Sequence, residues 1–163
     1  MFLYGMAAAG KRKSRVHGFD LSFPGGMEKF FEEMFGKGRW TGHAGDIHSG
    51  SSGTIDKFIL GGGRCDVIFL DAMHPMDHKL ARYMVRDENS VVMYHWHFRN
   101  PGSKPYLLDE IKSGRFNERG CVKTWCTRGR ERGSKVLMRE SCFGTFPPAS
   151  RSESELRSAL KAL

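Results

Sequence analysis

Three carboxylates stand where apolar runs end. Asp20 closes VHGFD, Asp46 follows GHAG, and Asp71 follows VIFL. A carboxylate just past a strand can accept two hydrogen bonds from a ribose diol, and in open parallel sheets ligands settle outside the carboxyl ends of the strands. One such acid reads as a helix cap or a solvated loop charge; three at equivalent places point toward a nucleoside. Histidine is the second conspicuous residue type, with His74 and His78 four apart and His95 and His97 flanking Trp96. Imidazole titrates near neutrality, so His74 or His95 could act as a general base. Zinc needs three or four convergent ligands. Pro75 starts a helix that leaves His74 in the loop before it, so no metal site is expected from these pairs.

The four cysteines, at positions 65, 121, 126 and 142, are too few and too dispersed for a disulfide framework. Cys121 and Cys126 lie in a predicted strand without an activating motif and are expected to be inert packing thiols. A reduced, cytoplasmic protein follows from that reading. The chain has 163 residues and a net charge of +8, with 39% hydrophobic and 12% aromatic residues. That is enough for a packed core and argues against wholesale disorder. No stretch approaches the roughly 20 apolar residues of a membrane span. The apolar start, MFLYGMAAAG, precedes its basic residues, the reverse of a secretory signal.

The elements that must position these acids alternate between two hydrophobic periods. A helical turn over 2–9 leads to a short strand over 15–21. Met27, Phe30, Phe31, Met34 and Phe35 recur at helical spacing, with Glu28, Glu32 and Glu33 on the wet side and Gly36 and Gly38 as the stop. A weak strand over 39–44 leads through the polar turn GDIHSGSSG to a helix over 54–60, which Ser52 or Thr54 could cap. CDVIFL, 65–70, is predicted as a strand buried on both faces. A helix over 77–86, a strand over 90–96 and a helix over 106–112 follow. Residues 121–126 and 135–138 are expected to pair as an antiparallel hairpin. After Pro147 and Pro148 comes a tail helix from about 153 to 163, with Ser152 and Glu155 at capping-box spacing. The pattern predicts an α/β fold with parallel central strands, organised as one domain over 1–146 and a tail helix over 147–163.

In that order, GFDL, GDIHSG and CDVIFLDAMH resemble the class I S-adenosylmethionine-dependent methyltransferases, in particular the subgroup whose core reads GDS…DxIFxDGxH. The resemblance runs from about Val16 to His78 and loosely onward to RGCVKTWC. It implies a Rossmann-like sheet with helices on both faces and S-adenosylmethionine as cofactor. By the same resemblance, Asp20 would bind the ribose hydroxyls, Asp46 and Ile47 would lie beside the adenine, and Asp71 would sit near the methyl and amino-acid end. His74 would then face the substrate as a base.

The sequence departs from the family in two places. The glycine-rich loop after the family's first strand has no counterpart in MFLYGMAAAGKRKS, and the acid–amide pair that helps related oxygen-methylating enzymes hold magnesium is replaced by Tyr94-His95-Trp96-His97. The missing first strand belongs at the centre of the sheet, between the strands that end at Asp20 and Asp71. The expectation is therefore a truncated methyltransferase, ahead of a degenerate relative with a rebuilt sheet, that transfers a methyl group to a small-molecule or other acceptor and is inactive if the truncation removes too much of the cofactor site. The competing reading is a non-catalytic α/β interaction domain that binds nucleic acid through basic runs such as Lys11-Arg12-Lys13-Ser14-Arg15 and Arg128-Gly129-Arg130-Glu131-Arg132. Neither run carries aromatic residues for base stacking, and Glu131 interrupts the second.

Overall fold

The protein is seen in a computed structural model that describes residues 13–70, 75–97, 104–127, 136–147 and 152–163. It is a mixed α/β chain with two separate sheets, divided into units Met1–Phe58 and Ile59–Leu163.

In the first unit, β1 (Val16–Asp20) pairs in parallel with β2 (Trp40–Ala44), Val16 opposite Trp40 and Asp20 opposite Ala44. A parallel pair needs a crossover, which α1 (Met27–Phe35) supplies. The helix starts without a side-chain cap at Gly26 and stops at Gly36, whose φ of 92° a glycine tolerates and whose N–H bonds the Glu32 carbonyl at 2.9 Å. Phe31 lays its ring parallel to Trp40, with centroids 5.2 Å apart. The rest of the predicted apolar stripe is only partly covered: Phe30 and Met34 are exposed.

On the other face of the pair, His17, Phe19 and His43 meet Phe58 of α2 (Thr54–Leu60). Neither Ser52 nor Thr54 caps α2 as expected. Their hydroxyls bond the Ser49 and Asp46 carbonyls instead, and Asp56 reaches back to the Gly53 N–H.

In the second unit the strand order is β3 (Val67–Leu70), β4 (Val91–His97), β6 (Val136–Thr145), β5 (Asn117–Thr127). β3 and β4 are parallel; β6 runs antiparallel to both β4 and β5. Parallel pairing in β1–β2 and β3–β4 and the terminal antiparallel hairpin agree with the sequence reading, the hairpin being longer than predicted. Helices α3 (Pro75–Met84), α4 (Lys104–Lys112) and α5 (Glu153–Lys161) complete the unit. Ile68, Leu80, Met84, Val92, Tyr94, Phe116, Phe146, Leu156 and Leu160 are buried and form its apolar core. Phe116 meets Tyr94 edge-on at 5.1 Å and Phe146 at 4.9 Å. Arg115 grips the buried Glu110 carboxylate through two bonds of 3.0 Å, tying α4 to the start of β5. The tail helix begins in the predicted capping box, Ser152 and Glu155 bonding each other's backbone N–H.

Two expectations fail. β3 buries Ile68, but Val67 and Phe69 on its opposite face remain exposed. An unbroken apolar run cannot tell a strand covered twice from one covered once. The second failure concerns the cysteines: Cys121 and Cys142 are joined by a disulfide across β5 and β6. Cys121 is thus not a packing thiol, because the hairpin register sets two cysteines 21 residues apart directly opposite each other. Among the described residues, Cys65 is a free cysteine, and burial pushes its thiol up to about 11, too high for a nucleophile at neutral pH. No described helix is long and apolar enough to cross a membrane.

Candidate functional site

Parallel strands exit a sheet at the same end, so β1 and β2 present their last residues to one rim. Asp20 is the last residue of β1, and Gly45, just past β2, donates its N–H to the Asp20 carbonyl at 3.0 Å. That bond closes the rim and sets Asp46 one residue further along the chain. Gly45 turns the chain with φ 125°, a conformation side chains seldom tolerate. Asp20 and Asp46 are both exposed. Among the described residues neither carboxylate is engaged in a hydrogen bond or ion pair, so both remain available as acceptors.

Asp46 and Ile47 are fixed by α2. The N–H groups at a helix start lack intrahelical partners, and here two of them take carbonyls from the rim. Thr54 N–H bonds the Asp46 carbonyl at 2.7 Å and Ile55 N–H bonds the Ile47 carbonyl at 3.0 Å. The intervening loop is held by one fully buried residue, Asp56. Its Oδ2 accepts the N–H groups of Ser49, Ser51 and Gly53 at 3.0, 3.2 and 2.9 Å, while Oδ1 meets His48 Nδ1 at 2.7 Å. Burial alone would raise the Asp56 pKa. The hydrogen bonds from Ser49, His48 and Gly53, with the nearby His48 charge, outweigh it and hold the carboxyl below its ordinary value. Gly53 leaves no room for a side chain, since a Cβ there would lie 2.6 Å from His48 Cα and collide with the Ile47 carbonyl oxygen.

A cluster of rings lies on the α2-covered face of the same strands. His17 Nδ1 is 3.0 Å from His43 Nε2, and Phe19 stacks on His43 with centroids 4.5 Å apart. Burial lowers the pKa of both histidines, and His43 and Arg15 lower that of His17 further. The pair is therefore neutral near pH 7, one ring donating to the other.

Of the residues singled out in the sequence, the structure brings Asp20, Asp46 and Ile47 to one rim. Asp71 and His74 lie outside the described residues, as do the side chains of His78, His95 and His97. The basic run 128–132 lies outside them too, as does the start of the run at 11–15. Sequence reasoning missed Gly53 and Asp56, which hold the loop, and His17 and His43. The signal for Asp56 was present: an acid three residues after Gly53 has capping-box spacing. Compared with the models of known protein families and with the curated proteins, the chain matches none.

Proposed function

We propose that the β1–β2 rim holds the nucleoside of S-adenosylmethionine and that the chain is a methyltransferase-type α/β protein acting on a small-molecule or other acceptor. The observation that carries this reading is the pair of unengaged carboxylates, Asp20 and Asp46, at one end of a parallel strand pair. Asp20 would accept from the two ribose hydroxyls and Asp46 from the exocyclic amine of the adenine, with the Ile47 side chain against the purine. Fixing Asp46 and Ile47 through their carbonyls keeps the acceptor geometry from drifting, which is where binding selectivity for a small ligand originates.

The parallel pairing within β1–β2 and within β3–β4 is of the kind that such an α/β protein uses. When bound, the cofactor supplies an electrophilic methyl on its sulfonium. The chain's part would be to orient it in line with an acceptor; the roles of Asp71 near the reacting end and of His74 as the base for a hydroxyl acceptor rest on the family resemblance alone.

Isothermal titration calorimetry with S-adenosylmethionine and with S-adenosylhomocysteine tests the reading. One site per chain, weakened by Asp20→Ala, is the expected result. A folded protein that gives no heat with either compound overturns it; if that protein also associates with nucleic acid in a salt-sensitive way, the interaction-domain reading takes its place.

A further inference from the structure

We propose that Glu118, Cys121 and Cys142 form a thiol-controlled zinc site on the β5–β6 hairpin, closed while the disulfide stands and opened by its reduction. The inference is independent of the cofactor reading. Glu118 and Cys121 are three residues apart on one strand, a spacing that ordinarily puts side chains on opposite faces. The pairing register changes that. Glu118 faces Gly144, Gly120 faces Phe143 and Cys121 faces Cys142, so Arg119 is an extra residue in β5. Such a bulge shifts the alternation by one, and Glu118 comes onto the face that carries the two cysteines. Carboxylate oxygen and both sulfurs lie within 4.8 Å of one another.

This donor set suits zinc. Two thiolates and one carboxylate give three protein ligands, and a water completes the tetrahedron, with Zn–S of about 2.3 Å and Zn–O of about 2.0–2.2 Å. Soft sulfur ligands select zinc over magnesium or calcium. Gly144, opposite Glu118, carries no side chain, and the Phe116 ring lies where a Cβ would stand, so the open side of the site is the solvent side on which Glu118 and Cys121 are exposed. The redox step balances with a dithiol as reductant. One of its thiolates attacks the sulfur of Cys121, the exposed residue of the two, and Cys142 leaves as thiolate. The second thiol then closes the reductant's own disulfide and releases Cys121, so two electrons pass from the dithiol to the protein. Zinc binding expels the remaining thiol protons to solvent, and oxidation by a small-molecule disulfide reverses the sequence and releases the metal.

The test uses the full chain with Cys65 and Cys126 replaced by Ala. The protein is reduced with a phosphine, and its fold is followed by far-ultraviolet circular dichroism during titration with Co²⁺. The expected result is a thiolate-to-cobalt charge-transfer band that saturates at one equivalent, is bleached by Zn²⁺, and is absent from the disulfide form. Cys142→Ser should remove the band. Glu118→Gln, which leaves the disulfide able to form, should weaken cobalt binding about tenfold or more. Reduced, folded protein without the band overturns the proposal, as does a band that survives Cys142→Ser, unchanged affinity in Glu118→Gln, or a fold lost on reduction that zinc does not restore.

Discussion

The two units of this chain are held together by different forces. In Ile59–Leu163, large apolar side chains close on one another: Leu80, Val92, Tyr94, Phe116, Phe146 and Leu160 are almost fully buried. In Met1–Phe58 the described buried residues are Gly53, Ile55 and Asp56, and the rest of the order comes from ring contacts and from backbone N–H groups collected by one carboxylate. The unit that offers the free acids is thus the one with little apolar core. A small sheet can present a precise rim without a large core if a single buried acceptor fixes the loop, because each buried N–H without a partner costs about 1–3 kcal/mol. The cost of that arrangement is its concentration in one residue.

The largest expected effect tests the apolar side of this contrast. Phe116→Ala removes a ring that touches both Tyr94 and Phe146 in a site 2% exposed. It should lower stability by about 3–5 kcal/mol, read from urea denaturation of the second unit's aromatic signal. A loss below about 1 kcal/mol would mean that this core is loosely packed and the contrast overstated.

The polar side is tested by Asp56→Ala, which strips the acceptor from Ser49, Ser51, Gly53 and His48 together. A loss of about 2–4 kcal/mol is expected locally, measured as lost protection of the three loop amides in hydrogen exchange. The sign with pH follows from the depressed Asp56 pKa: its contribution is present above the ordinary value of 3.8 and is lost as pH falls through the lower folded one. Amides that stay protected in the variant would show the loop to be held by something else.

A third comparison sets the support against the contacts it serves. Asp20→Ala and Asp46→Ala alter exposed side chains with no partner among the described residues, so each should leave the fold intact. On the proposed cofactor reading, each should weaken S-adenosylhomocysteine binding about tenfold, ~1.4 kcal/mol, by calorimetry. Asp56→Ala should weaken it as well, but through the position of Asp46 and Ile47. Binding that falls in the Asp56 variant and not in the Asp46 variant would move the ligand off the rim.

Much of the fold was legible because periodicity is a local property. The helix over 27–35 was read with its observed ends, since Met27, Phe31 and Phe35 recur at 3.6-residue spacing and Gly36 ends the run. The parallel pairs and the antiparallel hairpin were legible for the same reason. What escaped depends on register, which local pattern does not encode. Cys121 and Cys142 meet only because β5 and β6 align them, and Glu118 joins them only because one extra residue resets the alternation. Asp56 escaped for another reason: a capping-box acid and a solvated helix acid look alike until burial distinguishes them. Strand-end position was enough to single out Asp20 and Asp46, which the structure sets at one rim, whereas the support that Asp56 gives the loop shows only once its burial is known.

The smallest effect concerns the histidine pair of the first unit and its response to acid. Burial disfavours the charged forms of His17 and His43, and the charges of His43 and Arg15 add to this for His17. A base whose folded pKa lies below its unfolded value takes up its proton first in the unfolded chain. Stability is then full above the ordinary histidine value of 6.5 and declines as pH falls below it toward the lowered folded values. Because both rings keep some contact with solvent, the decline between about pH 7 and pH 5 should be on the order of 1 kcal/mol or less. His17→Phe keeps a ring against Phe58 while removing one titrating group and its coupling to His43. Its urea midpoint, read from the first unit's signal, should therefore vary less over that pH range than the wild type's. A variant with the same slope would assign the acid sensitivity to other groups and remove the histidines from the account of what holds β1 against β2.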